Sequence, residues 1–197
     1  MIDQTSPIPS LSINCRNKEL VRLTTVLQSG FMAVANEGDT IFSFLLTLDG
    51  FTEDYLINEV QTIFYNGDAL DDLESEIAGP KATVALAAAM PGLAGAIMKK
   101  GSPCGALRKT RNIQQVKHKG EPVEILVKLF NTVARERGAQ LFSTGIRMNS
   151  RDLVLFLELR PTLVAAFEDI ILDSAAIQTS EFIASISKFE QVNIEVH

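Results

Sequence analysis

The sequence predicts an α+β domain built on a mixed sheet, with a helical and partly stranded C-terminal part appended. Three observations carry this expectation. Residues 60–65 (VQTIFY) form a β-branched and aromatic run ended by Asn66-Gly67, the pair that most readily accepts positive φ and closes a tight turn. Residues 83–89 (TVALAAA) show no polar alternation, as expected of a strand buried on both faces, and their alanines let another backbone approach closely. Residues 41–48 instead place Ile41, Phe42, Phe44, Leu45 and Leu48 on a helical stripe, between a cap at Asp39 or Thr40 and a stop at Gly50.

Composition narrows the class of protein. A chain of 197 residues, 46% of them hydrophobic, can bury a sizeable core. A net charge of −6 argues against nucleic acid as a partner. That average hides a reversal: residues 99–119 hold Lys99, Lys100, Arg108, Lys109, Arg111, Lys117 and Lys119, seven of the 18 basic residues and none of the 24 acidic ones. No Phe, Tyr or Trp lies between Tyr65 and Phe130, so the basic segment lacks the stacking platforms of single-strand binders. Residues 1–12 contain Asp3, Pro7 and Pro9 and no apolar core of a secretory signal, so reduced Cys15 and Cys104 and a cytoplasmic location are expected. The longest apolar run, residues 83–98, is broken by Pro91 and shorter than the roughly 20 residues a membrane span needs. Two His and two Cys without close pairing offer no metal-ligand spacing, and no cofactor motif is present.

In chain order, residues 1–11 are expected to be a flexible tail, because Pro7 and Pro9 prevent a continuous helix. Residues 12–35 fit either a hairpin around Ser29-Gly30 or, from Leu20, Leu23, Leu27 and Phe31, a helix; the hairpin is preferred. The acids Asp68, Asp71, Asp72, Glu74 and Glu76 form a polar link to Gly79-Pro80. A basic linker follows over residues 99–120, and the C-terminal part over residues 121–197. There, residues 122–130 fit a strand or the first turns of a helix; Ile125, Leu126, Leu129 and Val133 keep helical spacing that ends at Gly138, so the helix is preferred, and residues 141–148 suit a short strand. Helices are expected over 152–159, 163–172 and 180–189, and an alternating strand over 192–196. Phe142, Phe156, Phe167, Phe182 and Phe189 sit at periodic positions and belong in the core.

The order strand, strand, capped helix, strand, acidic link, strand resembles the β-grasp, or ubiquitin-like, fold and its sulfur-carrier branch. The residues that carry the resemblance are Glu37-Gly38-Asp39-Thr40 with Phe44-Leu45-Leu46, then Phe64-Tyr65-Asn66-Gly67-Asp68, then Val84-Ala85-Leu86 before Pro91-Gly92. It covers residues 13–95 of a β-grasp-like domain placed at 12–98. Sulfur carriers act through a free C-terminal Gly-Gly, whereas this chain continues for another hundred residues past Gly95. The resemblance therefore implies partner binding through the sheet rather than carrier chemistry.

Two constellations bear on function. Gly92, Gly95, Lys99, Lys100 and Gly101 combine backbone N–H groups with cations, which suits an anion, in a spacing that is neither a Walker A loop nor a dinucleotide fingerprint; close packing of backbones is the competing explanation of the glycines. Cys104 stands among cations that favour thiolate, and Arg108 extends the cationic set, yet His118 lies 14 residues from Cys104 and no base is positioned for it. No catalytic residue is assigned. The leading expectation is a binding or assembly module using residues 91–111 on a protein partner, on itself or on a small anionic ligand. The alternative is a small enzyme holding a phosphorylated or carboxylated substrate through Gly92, Gly95, Lys99, Lys100 and Arg108.

Overall fold

A computed structural model describes residues 8–88, 92–103 and 116–197 of the chain. Its strands are β1 (Ser10–Asn14), β2 (Phe31–Asn36), β3 (Thr62–Tyr65), β4 (Asp68–Leu70), β5 (Lys81–Ala87), β6 (Pro122–Phe130), β7 (Ile146–Asn149), β8 (Asp169–Leu172), β9 (Ala175–Ala176) and β10 (Gln191–Val196). The helices are α1 (Asn17–Leu23), α2 (Ile41–Leu45), α3 (Glu53–Asn58), α4 (Gly92–Met98), α5 (Asn131–Thr144), α6 (Ser150–Glu158), α7 (Pro161–Val164) and α8 (Thr179–Ile186), with a 3-10 helix over Thr24–Gln28. All ten strands join one mixed sheet in the order β4-β3-β5-β6-β2-β7-β10-β1-β8-β9. Among the described residues, only the pairs β5–β6 and β1–β10 are parallel.

The alternation of side chains decides which face is core. On β6, Val123, Ile125, Val127 and Leu129 are buried, while Glu124, Leu126, Lys128 and Phe130 alternate with them on the other face and are half-buried. The inward row meets Val84 and Leu86 of β5 and Phe31 of β2, all in direct register. Helix α5 packs on β5, β6 and β10 as well as on α1 and the 3-10 helix, so one helix spans both halves of the sheet. Beyond β2 those halves are joined in the backbone by a single pair, Met32 with Arg147.

The interior placement of β5 follows the sequence expectation. Its outward Ala85 and Ala87 are buried like the inward Val84 and Leu86. The β3–β4 hairpin turns on Asn66 (φ 52°) and Gly67 (φ 88°), with Tyr65 paired to Asp68. Thr40 caps α2 by accepting the Ser43 N–H at 3.1 Å. Phe142, Phe156, Phe167 and Phe182 are core residues, and Phe189 is half-buried.

Elsewhere the structure corrects the reading. The hairpin expected around Ser29-Gly30 is α1 and the 3-10 helix followed by β2, so the antiparallel partner of β2 is β6, far along the chain. Residues 122–130 are a strand rather than the start of a helix, and α5 passes through Gly138 instead of ending there. Residues 141–144 finish that helix, and the strand begins at Ile146. The acidic link opens with β4, and the helix expected over 163–172 divides into α7 and β8. Ser10 and Leu11, assigned to the tail, begin β1; residues 1–7 of that tail lie outside the described residues. Strands from before and after the basic segment alternate in one sheet, since β1 lies between β10 and β8.

Candidate functional site

The cleft with the most built chemistry lies at the N-terminal ends of the parallel pair β5 and β6. Strand β2 ends at Asn36, and the chain turns through Glu37-Gly38-Asp39, where the Asp39 carboxylate accepts the Asn36 backbone N–H at 2.8 Å. Two other turns meet it. The Glu37 N–H donates to the Glu121 carbonyl and the Glu37 carbonyl accepts from the Gly120 N–H, each at 2.8 Å. The Gly38 N–H donates to the Ile77 carbonyl at 2.9 Å. The buried Tyr65 hydroxyl accepts the Ala78 N–H at 3.0 Å, which fixes the third turn.

At the junction of these turns sits the Glu37 side chain, 5% exposed. Its Oε1 accepts the Lys117 N–H at 2.8 Å and the Gly79 N–H at 3.4 Å. The Lys117 N–H foremost, then those of Gly79 and His118, hold this carboxyl below its ordinary pKa against the opposing effect of burial. Glu37 thereby anchors the C-terminal end of the basic segment to the tip of β2. A cleft of about 720 Å³ opens there, lined by Glu37, Gly79, Pro80, Lys117, His118 and Glu121 with the start of β6. His118 Nδ1 lies 3.9 Å from Glu121 Oε1 with both side chains mostly exposed, too open an arrangement for a base held in one orientation.

Of the residues singled out from the sequence, Gly92, Gly95, Lys99, Lys100 and Gly101 lie at the other end of β5, about 20 Å away for a seven-residue strand. Gly92 opens α4 at φ 71° with open space around it, Gly95 is buried within the helix, and Gly101 turns the chain after it at φ 64°. Close backbone packing therefore does not explain Gly92 or Gly101; their positive φ does. Lys99 is exposed. Lys100 turns inward: its Nζ donates to the Leu56 carbonyl at 2.8 Å and lies 3.4 Å from that of Ile57, completing the last turn of α3. Burial pushes its pKa down. The Gly101 N–H donates to Asp71 Oδ1 at 3.1 Å. Cys104 and Arg108 lie outside the described residues.

Sequence reasoning missed Glu37. It read the Glu-Gly-Asp-Thr turn as the entry to a helix, and nothing local reveals an acid whose donor stands 80 residues later. Cys15 is buried at the end of β1, and desolvation, then the charges of Glu19 and Glu168, pushes its thiol pKa up, the reverse of a nucleophile's environment. Among the described residues, no group of three or more His, Cys, Asp or Glu could hold a metal ion, and no helix is long and apolar enough to cross a membrane. No protein-family model, curated protein or solved structure matches this chain.

Proposed function

We propose that the protein is a non-catalytic binding module that presents its basic segment, with the cleft at the segment's C-terminal foot, to an acidic stretch of a protein partner. The observation that carries this reading is the Glu37 anchor. Backbone donors from Lys117 and Gly79 saturate Oε1 of a buried carboxylate, so the anchor fixes the C-terminal foot of the segment while the Lys117 and His118 side chains face the solvent. Charge complementarity favours an anionic partner, because residues 99–119 carry no acid. Both sheet edges are short strands, β4 and β9, which leaves little template for strand-on-strand assembly and puts recognition on side chains.

The β-grasp-like architecture belongs to the same proposal. Thr40-capped α2, the Asn66-Gly67 hairpin and interior β5 support it in their order along the chain; β6 would take the place of the missing first hairpin strand. Use of Lys100 as a helix cap weighs against the alternative of an enzyme gripping phosphate through Lys99 and Lys100.

The test is isothermal titration with a glutamate-rich peptide, with inorganic phosphate and a sugar phosphate as comparators. The reading expects salt-sensitive binding of the peptide, lost in Lys117→Glu/Lys119→Glu, whose backbone donor to Glu37 is retained. Binding of the small phosphates alone would favour the enzyme, and a concentration-dependent mass without ligand response would favour self-association.

A further inference from the structure

The cleft at the foot of the basic segment has little hydrogen bonding left to offer a guest, because its backbone is already engaged. Glu37 Oε1 takes the N–H groups of Lys117 and Gly79, and the Glu37 carbonyl takes that of Gly120. The Glu121 N–H donates to the His118 carbonyl at 3.0 Å, and the Pro80 carbonyl accepts the Glu124 N–H at 3.2 Å. Pro80 and Pro122 have no N–H at all, and both line the cleft from exposed positions at the entries to β5 and β6.

Around the opening the chemistry is cationic. Lys117 and His118 line it, and Lys81, directly after Pro80, has a side chain 80% exposed. The stem of Lys119 lies along Gly38, where an added Cβ would stand 3.0 Å from Lys119 Cγ, so this cation is held against the Glu37 turn. The acids of the cleft are Glu37, buried on its backbone donors, and Glu121, whose exposed carboxylate faces His118 at 3.9 Å. A carboxylate entering the cleft would lose hydration beside Glu121 and gain no backbone donor in return. Acids of a partner are therefore drawn to the lysines outside, and an uncharged group is what the interior admits. Its volume of about 720 Å³ is ample for the largest side chain.

Resting on the acidic-partner reading, we propose that the bound acidic stretch carries an aromatic residue, which seats in the cleft against Pro80, Pro122 and the His118 ring. Three ring side chains on the walls give a planar guest flat faces to pack on. Aromatic residues also bring large apolar area at low cost in rotamer entropy, which makes them common anchors of interfaces. Flanking acids reach Lys81 on the β5 side and Lys117 and Lys119 on the foot of the segment.

Calorimetry of the full chain with two glutamate-rich peptides of equal length and charge, one with a central phenylalanine and one with serine there, tests the proposal. The phenylalanine peptide is expected to bind about tenfold tighter or more, a ratio that survives added salt because it comes from apolar burial. Pro80→Ala/Pro122→Ala should bring the two peptides within about threefold of each other and leave the affinity of the serine peptide unchanged. Should that variant fail to fold, intermolecular NOEs from the phenylalanine ring to the ring protons of Pro80 and Pro122 in the wild-type complex decide in its place. Equal, salt-sensitive binding of the two peptides would overturn the aromatic anchor and leave the acidic-partner reading standing, whereas no binding of either would remove both. An undiminished preference in the proline variant, or NOEs to other residues alone, would also overturn the anchor.

Discussion

Arg147 on β7 and Glu124 on β6 reach each other across β2, with Nη2 3.5 Å from Oε1, and the other oxygen of Glu124 lies 3.5 Å from Lys81. The contact spans the seam where the two half-sheets share a single backbone pair. It looks like a clasp, yet Glu124 is 41% exposed, and exposed pairs contribute only about 0–1 kcal/mol. What holds the seam is α5, packed on both halves. Glu124→Gln is therefore expected to cost less than about 1 kcal/mol in urea unfolding and to leave one cooperative transition.

Gly138→Ala tests the packing beneath that helix. On propensity alone alanine would gain about 1 kcal/mol in a helix interior. A Cβ at this position, however, would stand 2.6 Å from Thr24 Cγ2, 2.8 Å from Thr24 Cβ and 2.9 Å from Leu27 Cδ1. Thr24 is fully buried and branched at Cβ, so it has nowhere to move. Overpacking typically costs about 1–3 kcal/mol, and net destabilisation is expected by chemical denaturation.

Lys100→Met keeps the aliphatic stem and removes the donor to Leu56 and Ile57. A loss of about 1 kcal/mol is expected, the usual worth of such a bond. The pH dependence has a definite sign. Burial lowers the folded-state pKa below the ordinary 10.5, so the unfolded chain binds more protons between the two values. The wild-type contribution therefore rises with pH across that interval and is flat above 10.5; Lys100→Met should lack the rise in alkaline urea titrations.

Glu37 acts on the acid side. Its folded pKa is lowered from 4.5, so its contribution is present above that value and lost as pH falls through the folded one. Urea midpoints measured against pH should show a steeper acid decline in the wild-type protein than in Glu37→Gln. Identical declines would remove the anchor from the account.

Tyr55 reports the contact between α3 and α5. Its hydroxyl donates to Glu136 Oε2 at 2.8 Å, and the Arg137 guanidinium lies 3.5 Å from its ring centre. Burial first, then the bond to Glu136, pushes its pKa up to about 12. Tyrosinate absorbance should show a step near 12 that Tyr55→Phe removes. The stability linked to it is complete below 10.0 and lost as pH rises through the folded value.

How much was legible in the sequence depended on the range of the interaction. Asn66-Gly67 and Thr40 act on backbone within three residues of themselves; the turn was read as the structure has it, and Thr40 was one of the two caps, with Asp39, that the sequence offered. The unbroken apolar run of β5 declared a strand with neighbours on each side. In residues 122–130 two periods competed: Ile125, Leu126, Leu129 and Val133 match a helix, while Val123, Ile125, Val127 and Leu129 alternate as a strand. Pairing with β2 and β5 decided for the strand, and pairing is invisible locally. Gly138 carried the appearance of a helix stop, but its role is the approach of Thr24. The site was the least legible part, because Glu37 meets Lys117 only in the folded chain.

The most direct measurement is amide chemical-shift mapping of the isotope-labelled protein titrated with a glutamate-rich peptide at low and high salt. The account predicts salt-sensitive shifts at Glu37, Gly79 and residues 117–121, continuing into the basic segment. Shifts confined to the half of the sheet around β1 and β10, or no saturable shifts at low salt, would contradict it.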